Sequence, residues 1–76
     1  MSLDAPNFQL IDGSDFRFAV VAASYNQRLV DALVERAVST LEAAGATAPS
    51  LERVPGSAEL PYAASLIAAT GEVDAI

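Results

Sequence analysis

The sequence predicts an α/β fold in which helices connect parallel strands. Three observations predict it: a continuous apolar run typical of a strand covered on both faces, an amphipathic helix directly after it, and a second strand and helix in the same order. Short links between these elements favour right-handed crossovers. The length of 76 residues limits the chain to one domain at most.

Three segments are predicted to be strands. The first is Phe16 to Ala23, which is continuously apolar after Arg17 and is expected to be the central strand. Leu51 to Val54 predicts a second and more exposed strand, and Val73 to Ile76 begins a third. Three strands and two helices cannot cover both faces of a sheet, so the chain (residues 1–76) is interpreted as the first half of a larger α/β subunit.

Two helices are predicted between these strands. From Gln27 to Ala44 the pattern is amphipathic, and Gly45 is expected to end the helix. The second helix, from about Leu60 to Ala69, is apolar nearly all round, which predicts that both of its sides are covered. The first helix has two apolar ridges, made of Leu29, Leu33, Ala37 and Leu41, and of Val30, Val34 and Val38.

The segment before the first strand is expected to be an extended arm covering residues 1–15. Within it, the polar and apolar alternation of Asn7 to Leu10, followed by turn formers, predicts a short edge strand. A targeting signal would show basic residues followed by an apolar core, and this pattern is not found in the first residues, so no targeting signal is predicted there.

The composition excludes several classes of function within this chain. It has no cysteine and no histidine, and all four of its cationic residues are arginines. Disulfides, thiolate or imidazole metal sites and lysine nucleophiles are excluded, so no catalytic residue and no metal ligand are assigned. The net charge of −6 argues against nucleic acid or an anionic membrane as a partner. No apolar segment is long and uniform enough to span a bilayer, and the protein is expected to be soluble.

The first candidate site loop is Ser24-Tyr25-Asn26, which follows the central strand. Open parallel sheets bind ligands beyond the carboxyl ends of their strands, and an aromatic ring there can lie flat against a ligand ring. In the alternative interpretation, Tyr25 caps the edge of the core and Asn26 caps the following helix.

The second candidate loop lies within Val54 to Pro61. Gly56 lets the backbone approach a ligand closely, amides at the start of the next helix can donate to oxygens, and Glu59 can accept bonds from hydroxyls. Alternatively, Gly56 is a turn residue, Ser57 is an N-cap and Glu59 is favoured by the helix dipole. Because neither loop has a basic residue, a flat heterocycle bearing a polyol fits better than a phosphate.

These segments together resemble the amino-terminal half of lumazine synthase. The resemblance runs from about Asp12 to the last residue, and motif order and spacing both fit. It implies a flavodoxin-like three-layer α/β/α sandwich, of which this chain is the first β-α-β-α-β portion. It also implies a cytoplasmic transferase of riboflavin biosynthesis that uses no cofactor. The family assembles as homopentamers, which in some members pair or build an icosahedral capsid. The motifs are Ala23-Ser24-Tyr25-Asn26, Val54-Pro55-Gly56-Ser57-Ala58-Glu59-Leu60-Pro61 and Gly71-Glu72-Val73-Asp74-Ala75-Ile76.

The resemblance also implies substrates and residue roles. Lumazine synthases condense 5-amino-6-(D-ribitylamino)uracil with 3,4-dihydroxy-2-butanone 4-phosphate to 6,7-dimethyl-8-ribityllumazine. By resemblance, Tyr25 stacks on the pyrimidine of the first substrate, and Asn26 beside it is a further substrate-binding residue. Ser57, Ala58 and Glu59 hold the same substrate, Glu59 through the ribityl chain. The family's proton-handling histidine and phosphate-binding residues come later in its sequence, so this stretch is not expected to be active alone.

Two residues depart from the family pattern. Tyr25 replaces a more usual Phe or Trp and keeps a stackable ring, whereas Ala58 stands where an aromatic is common. The lost ring makes a non-catalytic paralogue, a flavin- or lumazine-binding shell or scaffold protein, the alternative function. A third interpretation is an unrelated flavodoxin-like regulatory domain. That class usually shows clustered acidic residues after the first strand, whereas the loop here is Ser24-Tyr25-Asn26.

Overall fold

The computed structural model describes residues 11–76 of the chain. The edge strand predicted at Asn7 to Leu10 lies outside these residues. Residues 11–15 include a turn. The Gly13 N–H donates to the Ala44 carbonyl oxygen at 2.7 Å, which ties this segment to the end of the first helix.

Two parallel strands form the sheet in the described residues. Strand β1 (Ala19–Ala23) pairs with strand β2 (Ser50–Val54) along its whole length, so that the two strands begin and end opposite each other. The first strand is shorter than the predicted Phe16 to Ala23, because the ladder with β2 starts only at Ala19.

The start of a third strand lies on the other edge of β1. Phe18 forms a parallel bridge to Ala75, and the Ala19 N–H donates to the Ala75 carbonyl oxygen at 3.0 Å. The strand β1 therefore lies between β2 and the segment that begins the third strand. The parallel pairing confirms the α/β fold class, and the bridge on the second edge agrees with the predicted central position of β1.

Helix α1 (Gln27–Ala43) matches the predicted helix to within one residue. It ends as predicted before Gly45, whose φ of 89° belongs to the left-handed region that favours glycine. The ridge of Val30, Val34 and Val38 is half-buried along its length, and Leu41 from the other ridge joins it. On that other ridge, Leu29 and Leu33 are 58% and 61% exposed.

Helix α2 (Leu60–Thr70) follows a 3-10 turn at Ser57–Glu59. Pro61 lies in its first turn, where a missing backbone N–H costs no helical hydrogen bond. Gly71 ends the helix with a φ of 70°, as the sequence predicts.

The described residues bury little apolar surface. By contrast with β1, helix α2 has no buried residue, and Tyr62 and Leu66 are 70% and 54% exposed. A helix that is apolar on nearly every side but lacks buried residues leaves a face for a further element or another chain. The buried hydrophobic residues are all alanines, namely Ala19, Ala22, Ala23 and Ala46.

Hydrogen bonds between Arg17 and Asp74 hold the segment that begins the third strand beside the amino end of β1. The Arg17 N–H donates to Asp74 Oδ2 at 2.7 Å, and Arg17 Nε lies 3.5 Å from the same oxygen. The Asp74 N–H donates in return to the Arg17 carbonyl oxygen at 2.7 Å. The hydrogen bond from the backbone N–H of Arg17 lowers the pKa of the Asp74 carboxyl below its usual value. The positive charge of the Arg17 guanidinium lowers it further.

We expect Asp74→Asn to lower the melting temperature at neutral pH and to make little difference in strong acid. A carboxyl with a depressed folded-state pKa stabilises the fold above its unfolded-state pKa, and this stabilisation is lost as the pH falls through the folded-state value. Thermal unfolding from neutral pH to about pH 2 measures the difference, with Asp15→Asn on the exposed turn as the control. A difference that stays constant over this range would contradict the assignment.

Candidate functional site

The candidate site lies at the edge of the sheet where the chain leaves β1 and β2. The Tyr25 loop (residues 24–26) follows β1, and the Glu59 loop (residues 55–59) follows β2. The Ser24 N–H donates to the Val54 carbonyl oxygen at 2.7 Å, which extends the strand ladder one residue past β1. The two loops therefore leave the sheet side by side, and together they carry all five predicted site residues.

Tyr25 is 78% exposed in the described structure. This exposure disagrees with the alternative in which its ring caps the edge of the core. A ring with that much free surface can stack on a flat ligand and keep its hydroxyl in water. Stacking on a pyrimidine stays a prediction.

Asn26 begins α1 through its backbone. Its φ of 58° and ψ of 48° are left-handed, a conformation that asparagine adopts more readily than most residues. Its carbonyl oxygen accepts hydrogen bonds from the N–H groups of Leu29 and Val30, both at 3.1 Å. Asn26 therefore occupies the N-cap position of α1, as predicted, but its side chain makes no capping hydrogen bond.

The Glu59 loop is closed by reciprocal bonds between Gly56 and Glu59. The Gly56 N–H donates to Glu59 Oε1 at 2.8 Å, and the Glu59 N–H donates to the Gly56 carbonyl oxygen at 3.2 Å. Gly56 is at the N-cap position of the 3-10 turn and Glu59 is at the N-cap position of α2, so the N-cap alternative for Ser57 is wrong. The bond to Gly56 engages one carboxylate oxygen of Glu59 and orients the group.

Gly56 has an extended backbone, with φ −149° and ψ 172°, which any residue can adopt. A Cβ at this position would stand 3.4 Å from Glu59 Oε1, at the near edge of ordinary van der Waals contact. That oxygen is the end of a flexible side chain, so neither the backbone angles nor the space around Gly56 requires a glycine here.

Arg53 connects three elements beneath the Tyr25 loop. Its Nη2 donates to Asp31 Oδ1 at 2.6 Å, and its Nη1 donates to the Ala23 carbonyl oxygen at 3.4 Å. The side chains of Arg53 and Asp31 are 32% and 49% exposed. The sequence analysis did not predict this pair. The one sequence feature that could have indicated it is an arginine one residue before the end of the predicted second strand.

An apolar cleft of about 330 Å³ opens beside β1. Among the five predicted site residues only Ser57 lines it. A ribityl chain needs polar partners for its hydroxyls, so this cleft alone does not provide the polyol part of the predicted site. Its other lining residues are those of β1 from Val20 onward, with Val30, Leu33, Val34 and Leu60.

The site as described offers recognition chemistry. It combines one exposed ring, backbone amides and one carboxylate, and Ala58 adds only a small exposed side chain. Within residues 11–76 no three acidic, histidine or cysteine side chains are grouped to hold a metal ion. The helices of the same residues are all too short or too polar to cross a membrane. The arrangement can bind and orient a flat molecule that carries hydroxyls.

Comparison with known proteins gives one consistent family. Residues 15–76 match the sequence profile of 6,7-dimethyl-8-ribityllumazine synthase. A protein of that name from Halorhodospira halophila is 46% identical over 70 residues, which are 90% of this chain and 45% of the relative. The Streptomyces avermitilis protein is 42% identical over 67 residues, which are 88% of this chain and 42% of the relative.

The alignments cover most of this chain but less than half of each relative. A third protein of the same name, from Kineococcus radiotolerans, is 46% identical over 61 residues, which are 80% of this chain and 38% of the relative. The chain thus spans less than half the length of these curated relatives. Both candidate loops fall inside the profile match, and on this basis the chain belongs to the 6,7-dimethyl-8-ribityllumazine synthase family.

Proposed function

We propose that the protein containing this chain is a cytoplasmic lumazine synthase of riboflavin biosynthesis. It condenses 5-amino-6-(D-ribitylamino)uracil with 3,4-dihydroxy-2-butanone 4-phosphate to 6,7-dimethyl-8-ribityllumazine. One observation carries the proposal: an exposed ring and an oriented carboxylate stand on adjacent loops at the carboxyl edge of a parallel sheet, in a chain of this family. That edge is where open α/β sheets bind their ligands.

In this proposal the chain contributes orientation. Tyr25 stacks on the pyrimidine with Asn26 beside it, and the Glu59 loop holds the ribityl chain through Glu59 and through the backbone at Ser57 and Ala58. Fixing the nucleophilic amine in place makes its attack on the ketone effectively unimolecular. The later loss of phosphate and ring closure with loss of water need proton transfer and anion stabilisation. The chain has no histidine, cysteine or lysine for these steps, so residues outside it supply them.

The direct test supplies both substrates to the full-length protein. We expect 6,7-dimethyl-8-ribityllumazine to form without an added cofactor, and the 76-residue chain alone to form none. A binding paralogue would take up the ribitylaminouracil without product. The names of the relatives do not favour that alternative.

The proposal extends to assembly as a homo-oligomer, a pentamer or a multiple of pentamers by family resemblance. Helix α2 supports it, because Tyr62 and Leu66 leave an apolar face uncovered by the described residues. An apolar helix face of this kind is stable in water when another subunit covers it.

We expect Leu66→Glu to dissociate the full-length assembly or to prevent its folding. The new carboxylate would be buried without a partner in the proposed interface. Light scattering measures the mass, and circular dichroism reports whether the subunit is folded. Ser65→Glu is the matched control, since it places the same charge at an exposed polar position of α2. A monomeric wild-type protein would overturn the proposed assembly.

We expect Tyr25→Ala to weaken binding of the ribitylaminouracil by about 1 to 3 kcal/mol, the range for stacking of a base on an aromatic side chain. Tyr25→Phe keeps the ring and is expected to bind nearly as wild type does. Calorimetric titration of the full-length variants measures the affinities. Equal affinity for wild type and Tyr25→Ala would remove Tyr25 from the site.

Glu59→Gln separates the two uses of the Glu59 carboxylate. The glutamine oxygen can still accept the Gly56 N–H, so we expect a small change in melting temperature. The ribityl hydroxyls lose a charged acceptor, so affinity for the ribitylaminouracil should fall by roughly 1.5 to 3 kcal/mol. An analogue without the ribityl chain should bind both proteins alike. A lower melting temperature with unchanged ribityl-ligand affinity would assign Glu59 to the turn alone.

A further inference from the structure

We propose that Arg53 and Asp31 are positioning residues that hold the Tyr25 loop in its binding geometry. The inference rests on the proposed function, because it assigns a role to the loop that binds the ribitylaminouracil ring. It concerns two side chains on β2 and α1 that lie outside the predicted site.

The geometry places the pair across the two ends of the Tyr25 loop. Arg53 Nη1 reaches the carbonyl oxygen of Ala23, the last residue of β1 before the loop. Arg53 Nη2 reaches Oδ1 of Asp31, one turn into the helix that starts after the loop. A single planar guanidinium therefore links the chain entering the loop to the chain leaving it.

The register of the sheet makes this reach possible. Arg53 stands opposite Ala22 in the parallel pairing, and side chains of paired residues point to the same face. Ala22 is 6% exposed and carries only a methyl group.

Tyr25 depends on this backbone frame because its side chain has no hydrogen bond to the rest of residues 11–76. The loop is otherwise fixed by the Ser24 N–H on one side and the Asn26 carbonyl on the other. Those bonds secure each end separately. The Arg53–Asp31 pair is the contact that spans both ends, so its loss lets the end of β1 and the start of α1 shift relative to each other.

The pair is partly exposed, and ion pairs of this kind add little to global stability. A positioning role therefore predicts an effect that is local to the loop. The Arg17–Asp74 pair provides a matched control, since it also joins an arginine to an aspartate. It lies at the amino end of β1, the opposite end of the strand from the Tyr25 loop.

The first experiment needs no ligand. Amide hydrogen exchange is measured at Ser24, Leu29 and Val30, whose N–H groups make the bonds that fix the loop. In the full-length protein, Arg53→Ala should speed their exchange severalfold, whereas Arg17→Ala should leave it unchanged. Unchanged exchange in Arg53→Ala overturns the inference whether or not the proposed function is correct.

The second experiment measures affinity for the ribitylaminouracil by titration. Arg53→Ala should weaken binding about threefold to tenfold in the wild-type background and have no further effect in a Tyr25→Ala background. Arg53→Lys should bind more tightly than Arg53→Ala but less tightly than wild type. Its ammonium keeps the positive charge but lacks the second nitrogen needed to reach both the Ala23 carbonyl and Asp31. An equal loss in both backgrounds overturns positioning through Tyr25. A wild-type protein that does not bind the compound refutes the proposed function, and the exchange measurement then decides the inference.

Discussion

The parallel pairing of β1 with β2 is the constraint on which the candidate site depends. Because the strands end opposite each other, Ser24 and Val54 meet through one hydrogen bond and both loops start from the same edge. A slip of one residue would turn each side chain of β2 to the other face of the sheet. Arg53 would then lose Asp31, and the Glu59 loop would move by one residue relative to Tyr25.

The composition of β1 explains the uneven burial of the structure. Its buried residues are alanines, which let other elements approach the strand closely but remove little apolar area from water. Leu33 on α1 and Leu66 on α2 remain more than half exposed. For a chain that spans less than half of its relatives, such faces fit the proposal that other segments and subunits of the complete protein cover them.

Periodicity was enough to predict the fold class, both helices and the central strand from the sequence, because buried strands and amphipathic helices differ in period. It could not show that the Val30 ridge of α1 is half-buried while Leu29 and Leu33 stay exposed, since that depends on which elements surround the helix. The left-handed Asn26 and the Arg53 bridge were missed for a similar reason. A pattern gives the residue type, whereas a backbone angle or a contact with Asp31 over 22 positions is a tertiary property.

If Glu59 binds the ribityl chain as proposed, the bond from the Gly56 N–H to its carboxylate has a consequence for ligand selection. A glutamate on an open surface samples many rotamers, and most of them are lost when it binds a ligand. Here the turn restricts those rotamers during folding, so little side-chain entropy remains to be lost at the binding step. The second carboxylate oxygen is then presented in one narrow direction, which favours a hydroxyl at one position along a chain over the same group displaced by one carbon.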